Sequence, residues 1–121
     1  MTGINSITVA GIVATNPRHL QIGNGEPLTS FRLAAPVGEI GVETNWYSVA
    51  VFGALAVNAV NSIIKGDRVL VTGALRVREW ESENRGGFNA EIEAVALGHD
   101  LNWGTTQLRR AFPKTTTEEE S

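Results

Sequence analysis

The chain has 121 residues, 42% of them hydrophobic and none of them cysteine, so we expect one domain, and disulfides, thiolate nucleophiles and cysteine-bound metals are excluded. Ten basic and thirteen acidic residues give a formal net charge of −3, which argues against the strongly basic surface typical of nucleic-acid binding. No basic segment precedes an apolar one at the start, and no apolar run approaches about 18 residues. We therefore expect a cytoplasmic protein without export or membrane insertion.

The first third of the chain predicts two strands joined by an arm. The strands lie near 4–13 and 27–37. Within the arm, Asn24-Gly25 suits the positive φ angles of a type I′ hairpin turn. Pro27 can open the second strand, because a proline at the first position of a strand removes no essential backbone donor.

The third predicted strand, residues 44–52, has two different faces. Side chains alternate along a strand, so one face carries Trp46 and Phe52 and the other carries Tyr47, Val49 and Val51. The second face already provides a core side. We therefore expect the two aromatic residues to be exposed, although packing in a core is the commoner fate of an arbitrary tryptophan.

A helix is predicted at 54–64, where the spacing of apolar residues changes from two to four. Two neighbouring rows form a buried face: Leu55, Ala59 and Ile63, and Ala56, Val60 and Ile64. Gly66 is expected to end the helix as a left-handed C′ residue. Lys65 is expected to complement the helix dipole.

Two further strands are predicted near 68–80 and 88–97, joined by a polar tip at 81–87. Arg76, Arg78 and Trp80 lie on one face of the first of them. Two guanidinium groups beside an indole suit single-stranded nucleic acid, because bases stack on aromatic rings and cations contact phosphates. Arg85 on the tip could reach nucleic acid or serve solubility alone.

Three further side chains have predicted positions or roles. Arg32 lies between the core residues Phe31 and Leu33, so it points outward, and we expect it to contact phosphate on the same surface. Trp103 follows the last strand and is expected to anchor the chain end or a subunit contact. Phe88 could serve a subunit interface or the core.

Catalytic and metal-binding patterns are absent from the sequence. His19 and His99 are the only histidines, and they have no spaced ligand set for zinc. We expect both to be surface or hydrogen-bonded structural residues. The sequence therefore predicts no enzyme, no cofactor and no metal site.

In the order and spacing of its motifs, the chain resembles the bacterial single-stranded DNA-binding proteins over roughly residues 4 to 103. The matching segments are Ile7–Val13, Asn16-Pro17, Asn24-Gly25, Phe31–Ala34, Asn45–Gly53, Lys65-Gly66 and Gly73–Trp80. This resemblance implies an all-β, five-stranded OB-fold barrel with one helix between strands three and four. It also implies a homotetramer that binds single-stranded DNA without base specificity in replication, recombination and repair. The predicted domain covers 1–104, and a short polar, disordered tail covers 105–121.

The chain departs from the family pattern in ways that bear on function. Family members often carry a tryptophan where this chain has 39–41, and basic residues where it has Ala54 and Glu79. They usually end in an acidic tip closed by Pro-Phe that docks replication and repair enzymes. The present chain ends in Thr, Glu and Ser, so we expect weak docking or none. The alternative function is an OB-fold protein-interaction or primosome-like accessory module with little DNA binding.

Overall fold

The computed structural model describes residues 5–38 and 43–110. The elements, in chain order, are β1 (Ser6–Val13), β2 (Arg18–Gln21), β3 (Pro27–Val37), β4 (Glu43–Phe52), α1 (Ala54–Val60), β5 (Arg68–Ser82), β6 (Arg85–His99) and a 3-10 turn (Leu101–Trp103). All five predicted strands are present, and β2 is an additional short strand in the arm. Residues 105–110 are exposed and lie outside helices and strands. The rest of the predicted tail lies outside the described residues.

The strands form a closed barrel. Their order in the sheet is β1-β5-β6-β4-β3-β2, and an additional β1–β3 pairing closes the ring. Most neighbours are antiparallel, but β4 and β6 run parallel. The helix α1 lies in the chain between β4 and β5, the third and fourth of the long strands. The predicted OB-fold is therefore confirmed.

The barrel interior is filled by aliphatic side chains and Phe31. Its largest fully buried members include Leu33, Val49, Val51 and Ile92. These residues sit at alternate strand positions, so burying them fixes which side chains of each strand face outward. No helix among residues 5–38 and 43–110 has the length and apolarity needed to cross a membrane.

One buried polar residue links the arm, β3 and the helix. Thr29 is fully buried, and its hydroxyl donates to the carbonyl oxygen of Ala56 at 2.8 Å. The Nδ1 atom of His19 lies 2.8 Å from the same hydroxyl oxygen. Because the single hydroxyl proton goes to Ala56, Nδ1 of His19 must be the donor. The bond attaches β2 to the body of the barrel.

The turn in the arm differs from the predicted type I′ turn. That turn needs positive φ at both central residues, but Gly25, with φ 87°, is the only positive one in the described part of the arm. The turn instead spans Ile22–Gly25, and the N–H of Gly25 donates to the carbonyl of Ile22 at 2.6 Å. Asn24 accepts a hydrogen bond from the Glu26 N–H through its side chain.

The helix is shorter than predicted. It ends at Val60, and beyond it the Ile64 N–H donates to Oδ2 of Asp67 at 3.0 Å in a separate turn. Gly66 does have a positive φ of 98°, but it lies beyond the helix, so the predicted C′ role is wrong. The same holds for Lys65, which lies outside the last helical turn, where the dipole acts. Ala56, Ala59 and Ile63 are buried as predicted, but Ile64, which lies beyond the end of the helix, is 66% exposed, so its predicted burial is wrong.

The hairpin of β5 and β6 is longer than predicted. The two strands pair from Val69↔His99 out to Ser82↔Arg85, so the tip is a two-residue turn at 83–84 rather than the seven residues 81–87. Between Thr72↔Ala96 and Gly73↔Ala94 the register shifts, which leaves Val95 as an unpaired bulge residue. At this point the strands approach so closely that a Cβ on Gly73 would overlap the carbonyl oxygen of Glu93.

Candidate nucleic-acid interface

Strand β4 presents the aromatic face that its sequence predicts. Val49 and Val51 are buried, and Tyr47 packs against the core. On the opposite face Trp46 is 51% exposed, and Phe52 is half-buried. The two rings are separated by six positions, or about 20 Å along an extended strand.

The pairing of the strands arranges the outward residues in rows across the sheet. One row joins Arg32 of β3, Ser48 of β4, Glu91 of β6 and Arg76 of β5. Residues directly opposite one another share a face. The predicted arginines from β3 and β5 therefore lie on the same outer face as Trp46 and Phe52. We call this surface the outer face, made of Arg32, Trp46, Ser48, Ala50, Phe52, Ala74, Arg76, Arg78, Trp80, Glu91 and Glu93.

Trp80 lies on the outer face near the end of the β5–β6 hairpin. It is paired with Gly87, and its indole covers that glycine. A Cβ on Gly87 would lie 3.0 Å from Cζ2 of the indole and 3.1 Å from both Cε2 and Nε1. Trp80 as a whole is 39% exposed, so the indole rests on the backbone of Gly87 while part of the residue remains accessible. Arg85, paired with Ser82 at the tip, is on this same face.

Cations of the outer face make specific contacts. The guanidinium carbon of Arg32 lies 5.5 Å from the centroid of the Trp46 ring, a distance at which a cation is attracted to an aromatic face. Nε of Arg78 donates to Oε1 of Glu91 at 2.8 Å. This ion pair is substantially exposed, so its contribution to stability is small.

Two acidic residues on the outer face, Glu91 and Glu93, are not among the predicted site residues. Glu91 and Glu93 flank the buried Ile92, so the alternation of β6 places both of them outward. That signal was present in the sequence, but the faces of this strand were not assigned. The two glutamates offset the charge of two of the four predicted arginines on this face, Arg32, Arg76, Arg78 and Arg85, and so weaken its positive charge.

A groove runs across the outer face between β4 and the base of the hairpin. Its volume is about 670 Å³. Its walls include Phe52, Arg76, Arg78 and both glutamates, and Ala50 and Ala74 leave space between them. The groove thus connects one predicted aromatic residue with two of the predicted arginines.

Other predicted residues lie elsewhere. Trp103 is 63% exposed and stacks against Arg68, whose guanidinium carbon is 3.7 Å from the ring centroid. Arg68 opens β5, twelve positions or about 40 Å of strand before Trp80. Phe88 is 70% exposed on the face opposite Trp80, so of its two predicted locations, a subunit interface or the core, the core is excluded.

The histidines take part in structural hydrogen bonds. Nε2 of His99 lies 3.2 Å from Oδ2 of Asp67, and His19 contacts Thr29 as described above. Among residues 5–38 and 43–110, no three metal-ligating side chains come together. The predicted departure at 39–41 lies outside the described residues.

Comparison with known proteins identifies the family. The model of the single-strand binding protein family matches residues 4–99. Single-stranded DNA-binding protein 2 of Tropheryma whipplei is 45% identical over 117 residues, covering 90% of this chain and 77% of its own length. Single-stranded DNA-binding protein 1 of Streptomyces coelicolor is 39% identical over 112 residues, covering 86% and 71%.

Solved structures agree with this relationship. The small single-stranded DNA-binding protein from Streptomyces coelicolor superposes with a TM-score of 0.77 at 37% identity, covering 85% of this chain and 100% of that one. The second single-stranded DNA-binding protein of Mycobacterium smegmatis gives a TM-score of 0.74 at 30% identity, with 89% and 100% covered. The chain therefore belongs to the single-strand binding protein family.

Proposed function

We propose that this protein binds single-stranded DNA along the outer face. Bases stack on Trp46, Phe52 and Trp80, and phosphates contact Arg32, Arg76 and Arg78, with Arg85 reaching the strand from the hairpin tip. The observation that carries the proposal is that β3, β4 and β5 bring these side chains to one surface. Membership of the single-strand binding protein family supports it.

Stacking rather than charge supplies most of the affinity. A base stacked on an aromatic side chain contributes about 1–3 kcal/mol and tolerates any sequence. In contrast, the arginines share their face with two glutamates, and Arg78 is already paired with Glu91. Few cations are thus free to release counterions from the DNA. The net charge of −3 is compatible with binding for this reason.

We infer that the protein acts by binding, without catalysis, on exposed strands during replication, recombination and repair in the cytoplasm. Covering the strand keeps it unpaired. The accessory-module alternative is less favoured, because such a module does not need exposed indoles and arginines to share one face.

A titration of intrinsic tryptophan fluorescence with an unstructured oligothymidine tests the proposal. Stacking should quench the emission of Trp46 and Trp80 and leave that of Trp103 unchanged. Trp46→Ala and Trp80→Ala should each remove part of the quenching and weaken binding. Trp103→Phe is the matched control, and it should retain both. If the oligonucleotide changes neither the fluorescence spectrum nor the electrophoretic mobility of the wild-type protein, the result would instead support the accessory module.

We further propose that the protein is a homotetramer built from two dimers. One edge of β1 pairs with β5 from Ser6 to Ile12, but β3 pairs with the other edge only at Ile12 and Val13. Within the described residues, the edge at 6–11 is therefore open, and open edges pair with other strands unless they are covered. A second copy of β1 can cover it symmetrically.

A further inference from the structure

Glu93 occupies an unusual position on the outer face. Its neighbours in the row across the sheet are small side chains, namely Ala50 and Ser30 on one side and Ala74 and Ser6 on the other, and the nearest charged residue of the row is Arg18 of β2, three strands away. The neighbouring row contains Glu91 together with Arg32 and Arg76. Glu91 also forms a salt bridge with Arg78. Glu93 forms no salt bridge with any residue in 5–38 or 43–110. Its carboxylate thus projects, unpaired, over a floor of alanine.

The proposed stacking residue Phe52 lies next to this carboxylate. Glu93 is paired with Ala50, two positions before Phe52 on the same face of β4, and the spacing of neighbouring strands and the rise per residue put Glu93 and Phe52 about 8 Å apart. All three line the groove described above. A base stacked on Phe52 would lie over the alanine floor with its edge toward Glu93.

The chemistry of the carboxylate distinguishes between bases. An ionised carboxylate accepts hydrogen bonds and donates none. Cytosine presents its N4 amino donor at the position where thymine presents the O4 acceptor. Cytosine can therefore donate to Glu93, whereas thymine O4 would meet another acceptor. The negative charge also repels phosphate, so it favours an orientation with the base inward and the backbone toward the arginines.

We propose that Glu93 is a specificity-determining residue that favours cytosine over thymine at the position stacked on Phe52. This inference rests on the proposed function. Stacking accepts any base, and Glu93 adds a partial preference for cytosine to it. Glu91, the other acidic residue of the groove, is less suited to this role, because its carboxylate already accepts a hydrogen bond from Arg78.

The test compares the affinities for matched oligocytidine and oligothymidine at neutral pH. Wild type is measured beside Glu93→Gln and Glu93→Ala, which remove the charge, and Glu79→Gln, which removes a charge from the opposite face of β5. We expect both Glu93 variants to shift the cytosine-to-thymine affinity ratio toward thymine by roughly three- to tenfold, as one hydrogen bond does. Glu79→Gln should leave the ratio unchanged.

Other outcomes separate the two proposals. If both Glu93 variants bind the two oligonucleotides more tightly by the same factor, the residue acts by charge alone and the inference is overturned. The same conclusion follows if the ratio does not move, or if Glu79→Gln shifts it equally. If wild type binds neither oligonucleotide, the proposed function itself fails.

Discussion

The contact between Trp80 and Gly87 predicts that one methyl group on the hairpin will weaken DNA binding. In Gly87→Ala the new Cβ would lie 3.0–3.1 Å from three atoms of the indole, whereas relaxed contacts between carbon atoms are about 3.5–4.0 Å. The ring must therefore move by about half an ångström or tilt. Because Trp80 is 39% exposed and lies outside the core, its ring can lift outward without disturbing the core.

The size of the effect follows from the value of the stacking interaction. Complete loss of one stacked base costs about 1–3 kcal/mol, which sets the upper limit and is the expected effect of Trp80→Ala. A displaced ring retains part of the overlap, so we expect Gly87→Ala to cost about half as much. That corresponds to an affinity roughly two- to tenfold weaker. The unfolding midpoint should remain close to that of wild type.

Gly86→Ala provides a matched control at the preceding position. A Cβ on Gly86 would have its nearest contacts at 3.4 Å to the Trp80 carbonyl oxygen and 3.6 Å to Cγ of Glu81, which are ordinary distances. Fluorescence titration with oligothymidine should show nearly wild-type affinity for this variant. The reasoning is refuted if Gly87→Ala binds like wild type while Trp80→Ala is weakened, or if both alanine variants lose affinity equally.

Three further predictions concern binding, stability and assembly. Trp46→Ala should cost about 1–3 kcal/mol of binding free energy at any salt concentration, whereas the cost of Arg78→Ala should fall as salt rises and Tyr47→Phe should leave the affinity unchanged. The measurement is a DNA titration at several salt concentrations. A larger loss of binding free energy for Arg78→Ala than for Trp46→Ala would contradict this prediction. In urea denaturation, Thr29→Val should lower the free energy of unfolding by about 1–3 kcal/mol, because it removes the buried hydrogen bond to Ala56 and leaves Nδ1–H of His19 without its acceptor. An equal loss in the surface control Thr8→Val would refute the explanation. Sedimentation without DNA should give a tetramer mass at micromolar concentration, and a monomer would overturn the assembly proposed through β1.

The sequence predicted the faces of β4 well because buried valines fix them. Val49 and Val51 alternate with outward residues, and the pattern leaves only one arrangement that fills the core. Trp46 is exposed as this pattern requires. Local alternation was sufficient here because both faces of one strand carry clear signals.

Neighbours across the sheet could not be predicted in the same way. The placement of Glu91 beside Ser48 depends on the parallel pairing of β4 and β6, strands that are separated by a helix and by the whole of β5. No local pattern specifies that pairing. The contact of Trp80 with Gly87 was missed because a run of polar and glycine residues from 81 to 87 is typical of a loop, whereas the ladder continues through most of it.

The bulge at Val95 has a consequence for how the chain finds a single structure. In a long hairpin such as β5–β6, the register of one strand against the other could shift by one residue. Such a shift would turn Trp80, Arg76 and Arg78 away from the outer face. Sliding would also move Gly73 away from the carbonyl of Glu93 and place a residue with a side chain where only glycine fits. The shifted ladder is therefore sterically penalised, and bulges pin strand register in this way. One missing methyl group at Gly73 thus selects among competing folds as well as shaping the native one.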